Sequence, residues 1–514
     1  MVQNTERNTR EMKRILALLL ACLMLLPMLM ACDNDQDKTP SSTSGTPGET
    51  TAVTTKDPAA PDLPSPEEIG DISGDFTILV AGNYAWNDFQ SEGESGTVID
   101  SAIYRRNQYM KDTYNVNIIN EDIVKSNSSG GTGDGYKKIY TDYMAGECNY
   151  DAAMIGTYDV ATLAYNGYLH DLNDTKYIDL TKPYWDQKAN QDLSINGKMY
   201  YTTGDISAGD NRVTHVVLFN KDMVDAYDLD DPYELVKEGK WTLETFGSMI
   251  KSVGGDTNND GLLNQNDTFG LLCSRDNNLA ILAGAGERIC TINADGLMEL
   301  TLYSERVVNL YDKYLDIVYD QTHVFNYQYN YETGANVASS VWNEYRNSMF
   351  DNDQAMLYFT MLSAIDYHRD SEVDFGILPY PKYDETQAEY GHYIAAWHAQ
   401  FLCIPETPGD IDRTSFILEM LAYQGQQLLT PAYYEKTLVG QYTRDEESAD
   451  MLDIIFATRV YDVGVYYNIG GYKDQLSQIF ENRKSVTNIY ETYRTSAEAK
   501  VQTINNFFKQ NTAQ

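Results

Sequence analysis

Twelve residues near the middle of the chain carry its most specific chemistry: Asp256-Thr257-Asn258-Asn259-Asp260-Gly261-Leu262-Leu263-Asn264-Gln265-Asn266-Asp267. Oxygen side chains stand at positions 1, 3, 5, 9 and 12 of this run (Asp256, Asn258, Asp260, Asn264 and Asp267). Hard oxygen donors at this spacing match an EF-hand loop, which wraps Ca2+. Gly261 takes the sixth position, where such a loop turns sharply. Leu262 takes the seventh, which has to offer only a backbone carbonyl. The bland reading of the same residues is a solvated Asx- and Gly-rich loop without metal. A helix running from Thr242 to Val253, with Thr242 as N-cap and Glu244 in its first turn, leads into the loop. A strand at Phe269 leaves it. The expected role is a structural Ca2+ that pins the loop.

Asp267 stands where an EF-hand has Glu, and in this the loop resembles the dockerin-type variant. The shorter carboxylate reaches the ion less easily. A dissociation constant of about 10⁻⁴ to 10⁻³ M is therefore expected, the range of extracellular modules.

Catalytic signatures are missing from the sequence. It has no HExxH, GxSxG or P-loop pattern, and Gly284-Ala285-Gly286 lacks the third glycine of a dinucleotide fingerprint. Ser248-Met249-Ile250-Lys251 matches SxxK, but no SDN or KTG partner accompanies it, and a helix surface explains it. The six histidines are isolated. Carboxylates are so abundant that a glycosidase pair has no visible signature.

Composition favours gripping a polar ligand. The chain has 41 Tyr against 15 Phe and 5 Trp, and Tyr offers a flat apolar face and a hydroxyl at low conformational cost. Most of these rings must nevertheless be ordinary packing. The formal charge of −38 argues against binding nucleic acid or an anionic membrane surface, while strong negative charge is also a plain solubility device. Of the six cysteines, Cys148, Cys273, Cys290 and Cys403 are scattered without a CxxC pair. Neither structural zinc nor a disulfide framework is indicated. Cys273 and Cys290 have the option of pairing, but single buried thiols are expected.

The first residues set the compartment. Lys13-Arg14 precede an apolar run from Ile15 to Ala31, which ends at Cys32 and an acidic stretch. This is the layout of a secretory signal peptide over residues 1–31. The run is shorter than the ~20 apolar residues of a membrane-spanning helix. Leu29-Met30-Ala31-Cys32 resembles the lipobox of bacterial lipoproteins, which implies acylation of Cys32. Leu19-Leu20-Ala21-Cys22 is a second match, but cutting there leaves the greasy Leu23–Met30 segment on the product. Residues 32–74, rich in Thr, Ser, Pro and Gly, read as a disordered tether.

From about Gly74 onward the chain reads as two or three globular domains. Strands are expected at 75–81, 115–119, 151–155, 213–219, 269–274, 354–360, 374–378 and 400–404. Helices are expected at 98–114, 136–145, 160–168 and 221–227, and from about Ser485 to Lys509. Strand–helix alternation with short apolar strands argues for a parallel sheet covered by helices.

In order along the chain, Leu218-Phe219-Asn220-Lys221-Asp222-Met223, Asp231-Pro232-Tyr233-Glu234-Leu235, Gly239-Lys240-Trp241-Thr242 and Thr268-Phe269-Gly270-Leu271 come before Asp374-Phe375-Gly376-Ile377-Leu378-Pro379-Tyr380-Pro381-Lys382. These segments resemble the family-1 extracellular solute-binding proteins, the maltose-binding-protein-like group that serves ABC importers. The resemblance spans roughly Gly74 to Gln514. It implies an α/β fold of two lobes joined by hinge crossovers, with a helical C-terminal part. Lobe one is expected at 75–206 and 397–453, lobe two at 207–396 and 454–514.

Ligands in such folds sit between the lobes at strand carboxyl ends. That geometry selects Tyr84, Trp86, Tyr158, Asp205, Trp342, Asp366, Trp397 and His398. The aromatic rings would stack on sugar C–H faces, while Asp205 and Asp366 accept hydroxyl hydrogen bonds. The expected function is capture of a soluble nutrient, a mono- or oligosaccharide, by a monomeric lipoprotein on the outer face of the bacterial cytoplasmic membrane, with delivery to importer permease subunits. The alternatives are a secreted polysaccharide hydrolase and a surface adhesion lipoprotein.

Overall fold

The computed structural model describes residues 59–510 apart from 85, 92, 95, 129–130, 334–340, 369–370 and 440–445, with backbone only for 342–344, 437–439 and 446. Cys22, Cys32 and the leader lie outside the described residues.

Among the described residues, two sheets are built from β1 (Gly74–Gly82), β2 (Val116–Val124), β3 (Ala152–Gly156), β4 (His215–Asn220), β5 (Thr268–Cys273), β6 (Val324–Asn326), β7 (Ala355–Met361), β8 (Phe375–Leu378) and β9 (Gln400–Cys403), with one further two-residue strand. The first sheet has the order β9-β3-β1-β2. Strand β1 pairs in parallel with β2, from Gly74 opposite Val116 to Gly82 opposite Val124, and in parallel with β3. The second sheet runs β8-β4-β7-β5, with β6 beside β5 and a short 254–255 strand at its edge.

Both sheets are mixed where a wholly parallel sheet was expected. Strand β9 is antiparallel to β3, and β4 is antiparallel to both β7 and β8. The reason lies in the connections. Strands β4 and β9 each follow a crossover from the other sheet, so neither is bound by the β–α–β connection that forces parallel order.

Local signals set the element ends. The helix Val98–Tyr114 starts at a capping box, in which Thr97 Oγ1 accepts from the Asp100 amide and the Asp100 carboxylate accepts from the Thr97 amide. It stops at Asn115, whose left-handed φ of 54° closes the last turn. Strand β1 is an apolar run whose Phe76, Ile78, Leu79 and Ala81 are fully buried. One contiguous apolar core runs from Ile72 to Phe508.

Three passages link the sheets, two of them tied by single bridges that pair Thr202 with Leu402 and Thr214 with Ile394. The long helix Ile411–Val439 packs on Val98–Tyr114 of the first lobe. At Gly425 its backbone approaches the Asp205 carbonyl so closely that a Cβ would stand 1.9 Å away, which explains a glycine inside this helix. The next helix, Glu446–Ala457, packs instead on β8, with Ser448 hydrogen-bonded to Tyr233. Its Phe456 packs against Tyr434 and the Ile99–Ile103 cluster of lobe one, so this helix touches both lobes.

The tether also ends earlier than expected. Ile72 is buried, and Leu63 and Ile69 pack against the core. Lys182 donates to the Ala60 carbonyl and Arg413 to that of Ile72. The few apolar residues in this otherwise polar segment hold 59–73 on the body. Cys273, Cys290 and Cys403 are buried free thiols and Cys148 is an exposed one.

Candidate ligand-binding cleft

Strand carboxyl ends from both sheets meet at one cleft of about 480 Å³. From lobe one, the loop after β1 brings Tyr84 and Trp86. From lobe two, the turn after β5 brings Ser274 to Asn277, and the segment after β7 brings Ser363, Ala364 and Tyr367. The crossover before β9 contributes Trp397 and His398. This is where α/β architectures place ligands.

Three rings form a near-parallel cluster on one wall. Tyr84 lies 5.1 Å from Trp86 and 4.6 Å from His398, with interplanar angles of 17° and 22°. Trp397 is 53% exposed and Tyr84 42%, so apolar ring surface faces the space. Lobe-one side chains fix the crossover that carries Trp397. Asn83 donates to the Trp397 carbonyl, and Asn127 and the Thr157 hydroxyl donate to that of Ala396. Asn127 presses against Gly156, where a Cβ would stand 2.5 Å from it. Glycine at the end of β3 thus makes room for the side chain that holds the crossover.

The lining combines two neutral imidazoles with Arg275, Asp276 and Arg346. Burial depresses His398 to about 4 and His215 to about 3, so both imidazoles are neutral at ordinary pH. His398 Nδ1 and His215 Nε2 are buried without a hydrogen-bond partner. Burial pushes the Asp276 carboxyl up, against the opposing pull of Arg275. Arg346 sits in the lining with Tyr367, whose ring lies 5.2 Å from the guanidinium.

The eight sequence-selected residues divide. Tyr84, Trp86, Trp397 and His398 line the cleft together. Tyr158 is buried in an adjoining chamber, under the Lys473 ammonium at 4.6 Å. Asp366 lies in another adjoining chamber and pairs with Lys436 at 2.7 Å. Asp205 is not at the cleft. It accepts from Thr430 of the long helix at 2.6 Å, and burial pushes its carboxyl up to about 6. The chain turns Asp205 toward that helix, so an acid near a crossover in sequence is an internal hydrogen-bond acceptor in space. Trp342 lies in a widened, π-type helical turn, 341–347, and its side chain is outside the described residues.

Sequence reading missed Arg275, Asp276, Arg346 and Tyr367. The rule that ligands gather at strand carboxyl ends was applied to β1 and β3 but not to β5, where it points to Ser274-Arg275-Asp276. Arg346 had no signal beyond its neighbours.

The Asp256–Asp267 loop lies away from the cleft, at the amino end of β5. The Asp256 carboxylate accepts from the amides of Asp260 and Gly261, Asp260 accepts from Leu262, and Asp267 accepts from Thr257 and Asn264. Gly261 takes a φ of 83°, as a sharp turn demands. Asn264 Oδ1 accepts from Asn266, and Leu262 is exposed. The donor set is all oxygen and fits Ca2+ by type. Among the described residues, no three His, Cys, Asp or Glu side chains converge as a metal-holding group.

Among the described residues, no helix is long and apolar enough to cross a membrane. No protein-family model and no curated protein sequence matches the chain. Solved structures do. A cyclic alpha-maltosyl-1,6-maltose binding protein from Arthrobacter globiformis aligns with a TM-score of 0.53 at 13% identity, over 85% of this chain and 100% of its own. The GacH receptor of Streptomyces glaucescens, solved unliganded and with acarbose, aligns at 0.52 and 14% identity, over 83% and 99%. An ABC substrate-binding protein from Listeria monocytogenes in complex with cycloalternan aligns at 0.51 and 15% identity, over 84% and 98%. The chain therefore has the two-lobed α/β fold of solute-binding proteins.

Proposed function

We propose that this chain is the substrate-binding component of an ABC importer and captures a sugar between its lobes. The observation that carries this reading is the cleft, where Tyr84 and Trp86 of lobe one face Asp276 and Asn277 of lobe two across Trp397 of the crossover. The rings offer apolar faces to sugar C–H groups. Asp276 and Arg346 of the lining offer an acceptor and donors to hydroxyls. The lobes close over the ligand about the crossovers and reopen at the permease, and no covalent bond changes. The sugar-binding proteins that share the fold support this reading. A thermal-shift screen against a carbohydrate library tests it, since a ligand bound only by the folded state raises the melting point. A melting-point rise with an intact sugar recovered afterwards is expected. A sugar consumed during the assay contradicts it.

Acylation at Cys32 would tether a monomeric receptor to the outer face of the cytoplasmic membrane. Metabolic labelling with a clickable fatty acid, lost in Cys32→Ala, tests that anchor.

The Asp256–Asp267 loop is further proposed to take Ca2+ through Asp256, Asn258, Asp260, Asn264, Asp267 and the Leu262 carbonyl. The ion would brace the amino end of β5, far from the ligand. Calorimetric titration with Ca2+ should show one site in the wild type and none in Asp260→Ala. Equal binding by both proteins removes the site.

A further inference from the structure

The three passages between the lobes meet at one guanidinium. Arg459 comes just after the helix Glu446–Ala457, which follows the third passage. The 459–460 backbone pairs in parallel with His392 and Tyr393, which lead into the second. The Arg459 side chain ion-pairs with Asp210 of the first, between Thr202 and Thr214, and at 3.4 Å with Asp186 of lobe one. Asp205, also of the first passage, lies within its electrostatic reach and is held by Thr430 and Gln426 of the long helix.

Three carboxylates, Asp186, Asp205 and Asp210, therefore share one cation. The site is closed to water, with Arg459 12% and Asp210 3% exposed at their side chains. Neighbouring cations are already taken: Arg288 by Asp192, and Arg212, on the same short helix as Asp210, by Asp88. His392 is neutral, because burial depresses it to about 3. Burial likewise keeps the phenols Tyr434 and Tyr461 neutral. Asp453, on the helix before Arg459, is exposed. With all three acids ionised the cluster holds two more negative charges than positive ones, and one guanidinium does not repay their desolvation. A buried site of this kind sheds its excess charge by binding protons. Burial accordingly raises both Asp205 and Asp210 to about 6.

We infer that Asp205 and Asp210, gathered on Arg459, form a proton-operated lock on the hinge. Protonated, they let the three passages pack around the guanidinium. Ionised, they repel each other and Asp186, and the passages part to admit water. A carboxyl raised by the packed cluster favours packing when protonated, so this support is complete below about pH 4 and is lost as pH rises through about 6. Linkage makes the effect reciprocal: whatever holds the passages packed also holds the protons.

Small-angle X-ray scattering of the purified chain without sugar, from pH 5 to pH 8, tests the lock. The radius of gyration should rise with pH through a midpoint near 6. The double variant Asp205→Asn/Asp210→Asn, whose amides match the carboxyls in shape but do not ionise, should keep the compact radius throughout. If the double variant does not fold, Asp205→Asn alone, at a half-buried side chain, should show a smaller rise than wild type. Glu419→Gln removes another acid that titrates in this range, held by Tyr184 and Trp185 inside lobe one, and should leave the rise unchanged. A wild-type radius independent of pH, or a full rise in the aspartate variants, overturns the lock. A carbohydrate screen without a hit removes the receptor reading and leaves the lock standing, since the lock needs only two hinged lobes.

Discussion

Tyr84 and His398 stack at 4.6 Å with their ring planes 22° apart, one from the loop after the first strand and the other from the last crossover before β9. A ring pair of this kind couples a lobe to a hinge passage. On the receptor reading proposed above, it would set the ring platform beside a crossover and leave the lobe-two groups, Asp276 and Tyr367, to close on it. Its partner on the crossover, Trp397, is more than half exposed and touches ligand space rather than core.

Trp397→Ala should therefore abolish the sugar-induced rise in melting temperature while leaving the ligand-free stability within about 0.5 kcal/mol of wild type, as for other surface changes. Differential scanning calorimetry with and without sugar checks it. An undiminished rise removes Trp397 from the site.

The Asp88–Arg212 pair should matter for stability. Asp88 is 2% exposed and accepts from Ser207 and the Ala208 amide as well as from Arg212. Burial alone would raise its carboxyl, but Arg212 and these hydrogen bonds outweigh it and hold it down at about 2. Asp88→Asn leaves a buried guanidinium without its counter-charge, which costs about 3–5 kcal/mol. Urea unfolding at neutral pH measures it. Because the folded value lies below the unfolded one, this stabilisation is present above about pH 4 and fades as pH falls through about 2. The variant should lack that acid-side fall.

Glu419 should act in the opposite direction. It is buried in the long helix, where Tyr184, Trp185 and the Asp179 amide donate to it. Desolvation outweighs these bonds and pushes its carboxyl up to about 7. A raised acid favours folding when protonated, so its contribution is complete below about pH 4.5 and is lost as pH rises through about 7. The loss is on the order of 3 kcal/mol. Glu419→Gln should flatten the decline in stability between pH 5 and pH 8, read by chemical denaturation across that range. A slope identical to wild type contradicts this.

Much of the fold was legible because apolar runs such as Phe76–Ala81 and the helical spacing of Ile99, Ile103, Tyr104 and Met110 in Val98–Tyr114 declare themselves locally. Strand direction was not, since β4 and β9 take theirs from crossovers that no local pattern encodes. At the site, aromatics directly after strand ends, Tyr84 and Trp86, could be read from position. Asp205 stands equally close to a crossover, yet Gly425 and Thr430 from a distant helix draw it inward. Asp276, three residues after the end of β5, satisfies the same positional rule, but it is a single acid among 76 acidic residues and carries no aromatic signal.

Small-angle X-ray scattering of the chain with the tightest-binding sugar of the carbohydrate screen, with the sugar recovered afterwards, bears most directly on two lobes closing on a ligand they do not alter. The radius of gyration should fall on saturation, and the sugar should come back chemically intact. An unchanged radius at full occupancy, or a cleaved sugar, would contradict that.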